Sequence, residues 1–597
     1  MIRKSIVLSA VCVAMMASPG QNGGENPKST TEKAQSGHSE TIKSKEIEIT
    51  GVKSLDSDEI YRVLGVKTKS WFEFWRSDQK RIAEALIPSI EDTLRGYLDS
   101  RGYYDATFKI SDTPQKITIK IDENRPVTIS SISIESDFPL ENLITFKKGE
   151  PFDTDRFTSV KESIKKELLD RGYCSYDLDS KAYVDLEKHS VDLKYRLHKG
   201  DLCHFGKTTV VKKPDDIPEE VILSRMAYEE GDVFSTEKIN DSYTNLNKLG
   251  AFGQTLIDTD KKFFNVIPPE VSATPRNKLH RYLIAGGYDS EVGARLKATY
   301  DHYNFFGGAR KLELYSEISS ELMKVEGRFF QPVLFEYNDY FFDFYAKAGY
   351  YQEIYSTYDD KSSYFDMKLS HFGKNYTLDL GLALENTEIK KTATDDSIIG
   401  GTFLMLYPYL NVIYDKRDSK LNPKNGYYLS GYFEYGLPFD DEASDYLKWI
   451  LEGRLIHTFD KLTLAGVGKI GVIDDSKGVL PASKYFYAGG SFSNRAYGDR
   501  DIGITVSPTE YEGLGGRSWL NFSAEADYPI WGELYGAVFY DATTINEESW
   551  KFDAPWIQSA GVGVRYATPI GPIKVDFAGN VHDFSANRVS MMIGQSF

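Results

Sequence analysis

The chain has 597 residues with a formal net charge of −17; 41% of the residues are hydrophobic and 14% are aromatic. It is too long for one compact domain and too apolar for wholesale disorder, so several folded domains are expected. The acidic balance argues against nucleic acid as a partner, because a nucleic-acid-binding domain would present a clustered basic face.

The N-terminal segment is typical of an exported protein. In residues 1–17, Arg3 and Lys4 precede an apolar run shorter than a membrane span, which indicates a signal peptide. Residues 18–44 lack an apolar period and are predicted to form a flexible linker. No later run of about 18 apolar residues occurs, so a transmembrane helix is not expected. Cys174 and Cys203 remain after signal removal, and the sequence leaves their pairing open.

Three repeats of one α/β unit are predicted next, over residues 45–125, 126–200 and 201–277. In each repeat a helical stretch ends at a glycine, where a left-handed cap is needed, and two alternating strands follow. These glycines are Gly102, Gly172 and Gly250. The unit is therefore β-α-α-β-β, and it resembles the POTRA domain, the periplasmic polypeptide-transport-associated module. An exposed edge strand of such a unit can accept an extended chain by strand addition.

From residue 278 to residue 597 the helical pattern disappears, and long segments alternate between apolar and charged residues. In "KLELYSEISSE", Leu312 and Leu314 oppose Lys311 and Glu313. A soluble sandwich would also alternate, but segments this long and this aromatic fit a membrane barrel better. We count about sixteen segments, which predicts a 16-stranded antiparallel transmembrane β-barrel. An even count leaves both barrel ends where the repeats enter, on the periplasmic side of a bacterial outer membrane.

A long glycine-rich segment, "YFYAGGSFSNRAYGDRDIG", lies between the predicted eleventh and twelfth strands and exceeds what a turn needs. Gly489 and Gly490 permit a tight backbone bend, and Arg495 lies at the centre of the segment. Taken alone, the segment could equally be a solvated surface loop whose charges have no partner.

With this segment included, the whole chain resembles the bacterial assembly superfamily that joins POTRA repeats to a sixteen-stranded barrel and contains BamA, TamA and the two-partner secretion exporters. In that family the sixth outer loop folds into the lumen and carries an Arg-Gly-aromatic motif, which matches Arg495, Ala496 and Tyr497. Ala496 departs from the family glycine. The resemblance also implies two partner carboxylates, Glu525 and Asp541, and alternation places Glu525 on the polar, lumenal face. It thus implies a lumenal loop latch formed by Gly489, Gly490, Arg495 and Tyr497.

The resemblance implies two turn motifs at the periplasmic end, formed by Asp415, Arg417, Asp418, Pro423 and Gly426 and by Pro569 and Gly571. Proline and glycine also serve any tight turn, so each motif has a neutral interpretation. A closed barrel requires its first and last strands to pair. Glycines in both strands leave no side chain to pack across the join, which predicts a short, weak lateral seam. Its predicted residues are Ile284, Gly286, Gly594 and Phe597.

The leading hypothesis is an outer-membrane protein assembly factor. It would receive unfolded outer-membrane barrels and autotransporters on its POTRA repeats and insert them through the seam. Three repeats fit the TamA branch, the outer-membrane subunit of the translocation and assembly module, and the resemblance then implies a periplasm-spanning, TamB-like inner-membrane partner. No enzymatic activity, cofactor or metal site is expected.

Other functions stay open at this point. A secretion pore of the two-partner type or a diffusion channel would need an open lumen. A barrel enzyme would need a nucleophile and a base at matched depth, and the histidines are scattered, at His280, His302, His371, His457 and His582. Transport of lipid across the periplasm is a further alternative, with outer-membrane lipid and lipopolysaccharide as partners.

Overall fold

The computed structural model of the chain describes residues 44–66, 80–289, 293–338, 340–355, 357–373, 375–391, 398–439, 443–476, 479–568 and 571–593. The predicted signal peptide, the predicted linker before Ser44, and the site residues Pro569, Gly594 and Phe597 lie outside the described residues. Among the described residues, no helix is both long enough and apolar enough to cross a membrane.

Three α/β units come first along the chain. The first unit contains β1 (Ser44–Thr50), α1 (Ser57–Val63), β2 (Arg81–Ala83), a 3-10 helix (Glu84–Ser89), α2 (Ile90–Ser100), β3 (Thr107–Asp112) and β4 (Lys116–Asp122). The second contains β5 (Thr128–Ser136), α3 (Thr154–Asp170), β6 (Asp177–Asp185) and β7 (Ser190–His198). The third contains β8 (His204–Phe205), β9 (Thr209–Lys212), α4 (Glu219–Leu223), α5 (Thr236–Leu249), β10 (Phe252–Asp258), β11 (Val266–Ile267) and β12 (Glu270–Pro275).

Each unit has a small mixed sheet. The strand orders are β2-β1-β4-β3, β5-β7-β6 and β10-β12-β9, and β8 forms a separate parallel pair with β11. The second unit departs from the predicted β-α-α-β-β order in one detail, because residues 137–150 form turns and irregular structure where a first helix was expected. The predicted fold of α/β repeats with small mixed sheets is nevertheless confirmed.

Helix α3 illustrates why the long helices form. Its N-cap is Asp153, whose side chain accepts a hydrogen bond from the backbone amide of Arg156 at 2.8 Å. Its buried residues recur every three or four positions, so one apolar face covers the sheet. These residues are Phe157, Val160, Ile164 and Leu168.

The glycines that end the long helices are also where the next unit docks. The backbone amide of Val127 donates to the carbonyl of Gly102 at 2.8 Å, and that of Cys203 donates to the carbonyl of Gly172 at 2.8 Å. Carbonyls at the end of a helix lack partners within the helix, so the next unit satisfies them. The repeated sequence motif therefore marks the junctions between units.

A disulfide joins the second and third units. It links Cys174, which follows α3, to Cys203, which is fully buried in the core of the third unit, with 5.9 Å between the two Cα atoms. This answers the pairing that the sequence left open.

Removing this disulfide is expected to destabilise the third unit. Because the bond restricts the unfolded chain, Cys174→Ala should lower the free energy of unfolding by about 3 kcal/mol. Hydrogen exchange of the α5 amides in the full-length protein measures this loss. The half-buried Cys174 is replaced so that the core around Cys203 is left in place. Equal exchange in both proteins would contradict the prediction.

Sixteen antiparallel strands form one continuous sheet in chain order. These barrel strands 1 to 16 are His280–Asp289, Gly293–Tyr303, Lys311–Ile318, Leu322–Tyr337, Tyr340–Ile354, Tyr358–Phe372, Tyr376–Lys391, Gly401–Asp415, Gly426–Pro438, Tyr446–Phe459, Leu462–Asp475, Ser518–Trp531, Leu534–Asn546, Ile557–Tyr566, Ile573–Asn580 and Asn587–Ile593. The predicted count and order of strands are confirmed. The three strands at each end of the sheet have 7–11 residues, and the ten between them have 13–16.

Barrel strand 7 shows how the two faces of the wall differ. Leu380 and Leu384 point outward and are 59% and 37% exposed, whereas Asp379 and Glu385 point inward and are buried. An apolar outer face and a polar inner face suit lipid outside and a polar lumen within. The alternation read from the sequence therefore corresponds to the two faces of a membrane barrel.

The third unit packs directly on the entry end of the barrel, which is the end where barrel strand 1 begins. Ala309, Phe330 and Val333 of the barrel belong to, or pack against, the apolar core of the third unit. Arg225 of the third unit forms an ion pair with Asp343 of barrel strand 5, with 2.5 Å between Nη2 and Oδ1. The third unit therefore packs on barrel strands 4 and 5 and on the turn that follows strand 2.

Gly250, the end of α5, is part of this packing. It has a φ of +65°, and its carbonyl accepts a hydrogen bond from Nη1 of Arg276 at 3.1 Å. A Cβ atom on Gly250 would lie 2.3 Å from the ring of Tyr303 in barrel strand 2. Both the left-handed backbone and the close approach require glycine here.

Candidate lumenal latch and lateral seam

Residues 476–517, between barrel strands 11 and 12, form a long connection that we call loop 6. It contains a 3-10 turn at Ala482–Lys484 and two short strands, Thr505–Ser507 and Glu510–Tyr511. Ile502 of loop 6 is fully buried and belongs to the same apolar cluster as Tyr358 and Phe403 of the barrel wall. Loop 6 therefore folds into the barrel interior.

Two glycines give loop 6 its sharp bend. Gly489 and Gly490 have φ angles of +114° and +76°, and a Cβ atom on Gly489 would lie 2.0 Å from the carbonyl oxygen of Gly498. Ala496 stands where the family has glycine. Among the described residues of loop 6, positive φ angles occur at Gly489, Gly490 and Arg500, so the backbone at Ala496 accommodates a side chain.

Arg495 lies between two lumenal carboxylates. Its Nε and Nη2 donate to Oδ2 and Oδ1 of Asp541 at 2.8 and 2.9 Å, and its Nη1 donates to Oε2 of Glu525 at 2.5 Å. The guanidinium carbon is 3.4 Å from the ring centre of Phe539. Arg495 is 5% exposed, and both carboxylate side chains are fully buried. A planar guanidinium suits this two-point contact with Asp541, and the face of the Phe539 ring stabilises the cation by a cation–π interaction.

The Arg495 cluster extends across the following strands. Arg565 of barrel strand 14 donates from Nη2 to Oε1 of Glu525 at 3.0 Å and also pairs with Asp576 of strand 15. The hydroxyl of Tyr497 accepts a hydrogen bond from Nδ2 of Asn580, also in strand 15, at 2.7 Å. Loop 6 is thereby attached to barrel strands 12 to 15.

Two further attachments of loop 6 were missed in the sequence. Nζ of Lys484 pairs with Oε2 of Glu385 in barrel strand 7 at 2.6 Å, and Nη2 of Arg500 donates to the hydroxyl of Tyr358 in strand 6 at 2.7 Å. Glu385 lies on the lumenal face by alternation, so it could have been flagged as a charge that needs a partner. Nothing in the local sequence identifies Lys484 as that partner.

The predicted turn motifs shape the entry end of the barrel. Nε of Arg417 donates to Oδ1 of Asp415 at 2.9 Å, and the carboxylate of Asp418 accepts two backbone amides of the same turn at 2.9 and 3.0 Å. These contacts satisfy backbone groups that a turn leaves unpaired. The other described residues of the two motifs are Pro423, Gly426 and Gly571.

Barrel strands 1 and 16 are the two ends of the sheet. Every consecutive pair of barrel strands has a hydrogen-bonded register, but within the described part of the chain no register links strand 1 to strand 16. Ile284 of strand 1 is 75% exposed, and Gly286 lies two residues further along the same strand. Cα atoms of the two strands approach to within 8 Å, so the described part of the seam is a close approach at which the edge of strand 1 has no hydrogen-bonded partner.

The fold and this site define an outer-membrane β-barrel that carries POTRA repeats in the periplasm. Residues 304–597 match the model of the Omp85 superfamily domain, and residues 42–124 and 125–200 match the POTRA model, described as the surface antigen variable number repeat. The chain belongs to the Omp85 superfamily of POTRA-plus-barrel proteins.

Similar proteins have been named in other bacteria. Outer membrane protein assembly factor BamA of Nitratidesulfovibrio vulgaris is 21% identical over 588 residues, covering 93% of this chain and 73% of that protein. The protein of the same name from Neisseria meningitidis serogroup B is 22% identical, with 84% and 72% covered. The crystal structure of BamA from Haemophilus ducreyi lacking POTRA domains 1–3 has a TM-score of 0.49 at 19% identity, covering 78% of this chain and 99% of that one.

Proposed function

We propose that this protein is an outer-membrane protein assembly factor that inserts unfolded client barrels through the seam between barrel strands 1 and 16. The observation that carries this proposal is the open edge of barrel strand 1, which has no hydrogen-bonded partner on its seam side among the described residues. An unpaired edge exposes backbone donors and acceptors that an incoming strand can satisfy. In lipid, such pairing is strongly favoured because no water competes for these groups.

The short strands beside the seam support the same function. Strand 16 has 7 residues, so any pairing across the seam would be short and would open at little cost. The relatives named outer membrane protein assembly factors also favour this class of function. The proposed function includes no catalytic step.

The POTRA repeats are proposed to receive unfolded barrels and autotransporters before insertion. In the second unit β6 is an edge strand, on which Tyr183 is 51% exposed and Val184 is 37% exposed. An extended client can add to such an edge through its backbone while its side chains contact the exposed apolar residues. By its three repeats the protein is proposed to act as TamA does, with a TamB-like, periplasm-spanning partner.

A secretion pore or diffusion channel is the second candidate. Loop 6 opposes it, because its residues, with those of the wall, form one buried apolar cluster inside the barrel. An assembly factor with a filled lumen predicts low conductance in planar bilayers, and steady conductance would favour the pore. Transport of lipid along the same periplasmic path is a third candidate, for which no contact in the structure argues specifically.

Closing the seam covalently is expected to stop client assembly. Ile284→Cys and Met591→Cys place thiols on the outer faces of strands 1 and 16, where a cleavable bismaleimide can join them. We expect at least a tenfold loss of assembly of a reporter barrel in proteoliposomes, with recovery when the cross-link is cleaved.

The matched control joins two strands that are already paired. Leu451 and Ile470 lie opposite each other in strands 10 and 11, so linking cysteines at these positions leaves the seam free. Assembly should continue in this control. If the seam-locked protein assembles its client as well as the control does, insertion through the seam is wrong.

A further inference from the structure

The outer face of barrel strand 1 carries an ordered set of rings beside the seam. His280 and Tyr282 lie directly opposite His302 and Tyr300 of strand 2. The ring centres are 4.4 Å apart for His280 and His302, and 5.1 Å apart for Tyr282 and Tyr300. Nδ1 of His280 is 2.9 Å from the hydroxyl oxygen of Tyr300. Four rings therefore form one patch across two strands.

The patch continues to the entry end of the barrel. The ring of Phe305, in the turn after strand 2, is 5.2 Å from His302 and 4.2 Å from Phe306. Phe306 is 84% exposed. Lys278 is exposed as well, and it lies two residues before His280 on the chain that enters strand 1. An exposed cation thus precedes the rings by two residues where the chain enters the barrel wall.

This face of strand 1 points toward lipid. The alternate residue Arg281 points the other way, since its Nε donates to Oδ2 of Asp301 at 2.7 Å and Asp301 is fully buried on the lumenal side. Tyr282 and Ile284 are instead 77% and 75% exposed. The patch is therefore continuous with the lipid-facing surface of the barrel.

We propose that Lys278, His280, Tyr282, Tyr300, His302 and Phe306, together called the seam patch, bind the phosphate of a phospholipid headgroup in the leaflet at the entry end. From Lys278, just before strand 1, along the outer face of the strand the order is lysine, histidine, tyrosine and isoleucine. This order follows the polarity of a bilayer from phosphate through the interface to hydrocarbon. The lysine ammonium attracts the phosphate, the imidazole N–H groups can donate to it, and the rings suit the interface beside it.

The seam patch lies on the strand whose edge forms one side of the seam. A headgroup held by the seam patch would lie beside the edge of strand 1 that has no hydrogen-bonded partner strand among the described residues. It would fix the depth of strand 1 in the membrane without occupying its hydrogen-bonding edge. This inference depends on the membrane location of the barrel and not on the proposed assembly function.

His457 offers a matched control on the same surface. It lies in barrel strand 10, near the entry end, and its ring is 4.3 Å from that of Phe459. His457 is exposed in the same way as His280. It faces a single phenyl ring there, whereas His280 faces a second histidine and a tyrosine hydroxyl.

The test compares lipid retention by the full-length protein in detergent micelles, counted by native mass spectrometry. Phosphatidylglycerol is the probe, and diacylglycerol, which lacks phosphate, is the reference lipid. The combined variant Lys278→Gln, His280→Gln, His302→Gln should retain phosphatidylglycerol at least about fivefold less than the unmodified protein. His457→Gln should retain it as the unmodified protein does, and neither change should alter diacylglycerol retention.

Two controls complete the experiment: one tests that each variant is folded, and the other distinguishes a lipid headgroup from free phosphate. Each variant must keep the heat-modifiable gel mobility of a folded barrel. Inorganic phosphate in excess should leave phosphatidylglycerol in place, because the lipid also binds through its acyl chains. Three outcomes would overturn the proposal. The combined variant retains phosphatidylglycerol as well as the unmodified protein does, the unmodified protein retains both lipids equally, or free phosphate displaces phosphatidylglycerol.

Discussion

Arg495→Ala is expected to release loop 6 from the barrel wall and to destabilise the barrel by about 3–5 kcal/mol. Among the described residues, Arg495 is the only cation paired with Asp541, which is fully buried. Removing the guanidinium leaves that carboxylate charged and without a cation, with the backbone amide of residue 495 still donating to it. Glu525 would keep its pair with Arg565. Urea unfolding in lipid, followed by the heat-modifiable gel band, measures the loss, and external trypsin reports the exposure of loop 6.

A second substitution tests whether the unpaired charge causes this loss. Arg495→Ala combined with Asp541→Asn removes both charges and should recover part of the stability. Arg495→Ala combined with Glu525→Gln should recover less, because Glu525 still has Arg565. Arg454→Ala controls for loss of a lumenal arginine whose partner is Glu452 of the same strand. If Arg454→Ala and Arg495→Ala lower the stability and expose loop 6 to trypsin equally, Arg495 has no specific role in holding loop 6.

Gly250→Val is expected to separate the third POTRA unit from the barrel. The new Cβ would meet the ring of Tyr303, and the backbone at Gly250 has a left-handed φ of +65°. Overlap in a packed junction costs about 1–3 kcal/mol beyond the backbone strain. We expect faster hydrogen exchange in α5 and new protease cleavage in residues 276–279, which lead into barrel strand 1.

Gly231→Val is the matched control for backbone strain. Gly231 also has a positive φ, of +89°, but a Cβ atom there would meet no atom within 4 Å. Both substitutions carry the left-handed penalty of about 1–2 kcal/mol. The difference between them therefore measures the junction alone. Equal exchange and equal cleavage in the two variants would mean that the contact with Tyr303 does not hold the third unit in place.

These two regions attach opposite sides of the seam to different parts of the molecule. Barrel strands 4 and 5 share a core and an ion pair with the third unit, through Val333 and Asp343. Strands 12 to 15 are attached to loop 6, through Arg495 and Tyr497. Strand 16 lies between the second group and the seam. Gly250→Val and Arg495→Ala thus perturb the seam from its two sides.

Much of this architecture was predictable because its signals are local. Alternation with a period of two placed Glu525 inward, and the same alternation gave the number of strands. Gly102, Gly172 and Gly250 were identified as helix ends because a left-handed cap favours glycine. The contact of Arg495 with Glu525 and Asp541 came from the family motif, which local physics alone would not have supplied.

The three-dimensional structure decided what depends on distant parts of the chain. The 29-residue separation of Cys174 and Cys203 does not say whether their Cα atoms approach to 5.9 Å, because that distance is set by how two units dock. Lys484 meets Glu385 only because loop 6 folds back across the lumen. The sequence by itself thus determined which way each strand faces, through steric alternation along the backbone. Only tertiary packing decided which faces and loops meet, since closing a barrel brings together residues a hundred positions apart.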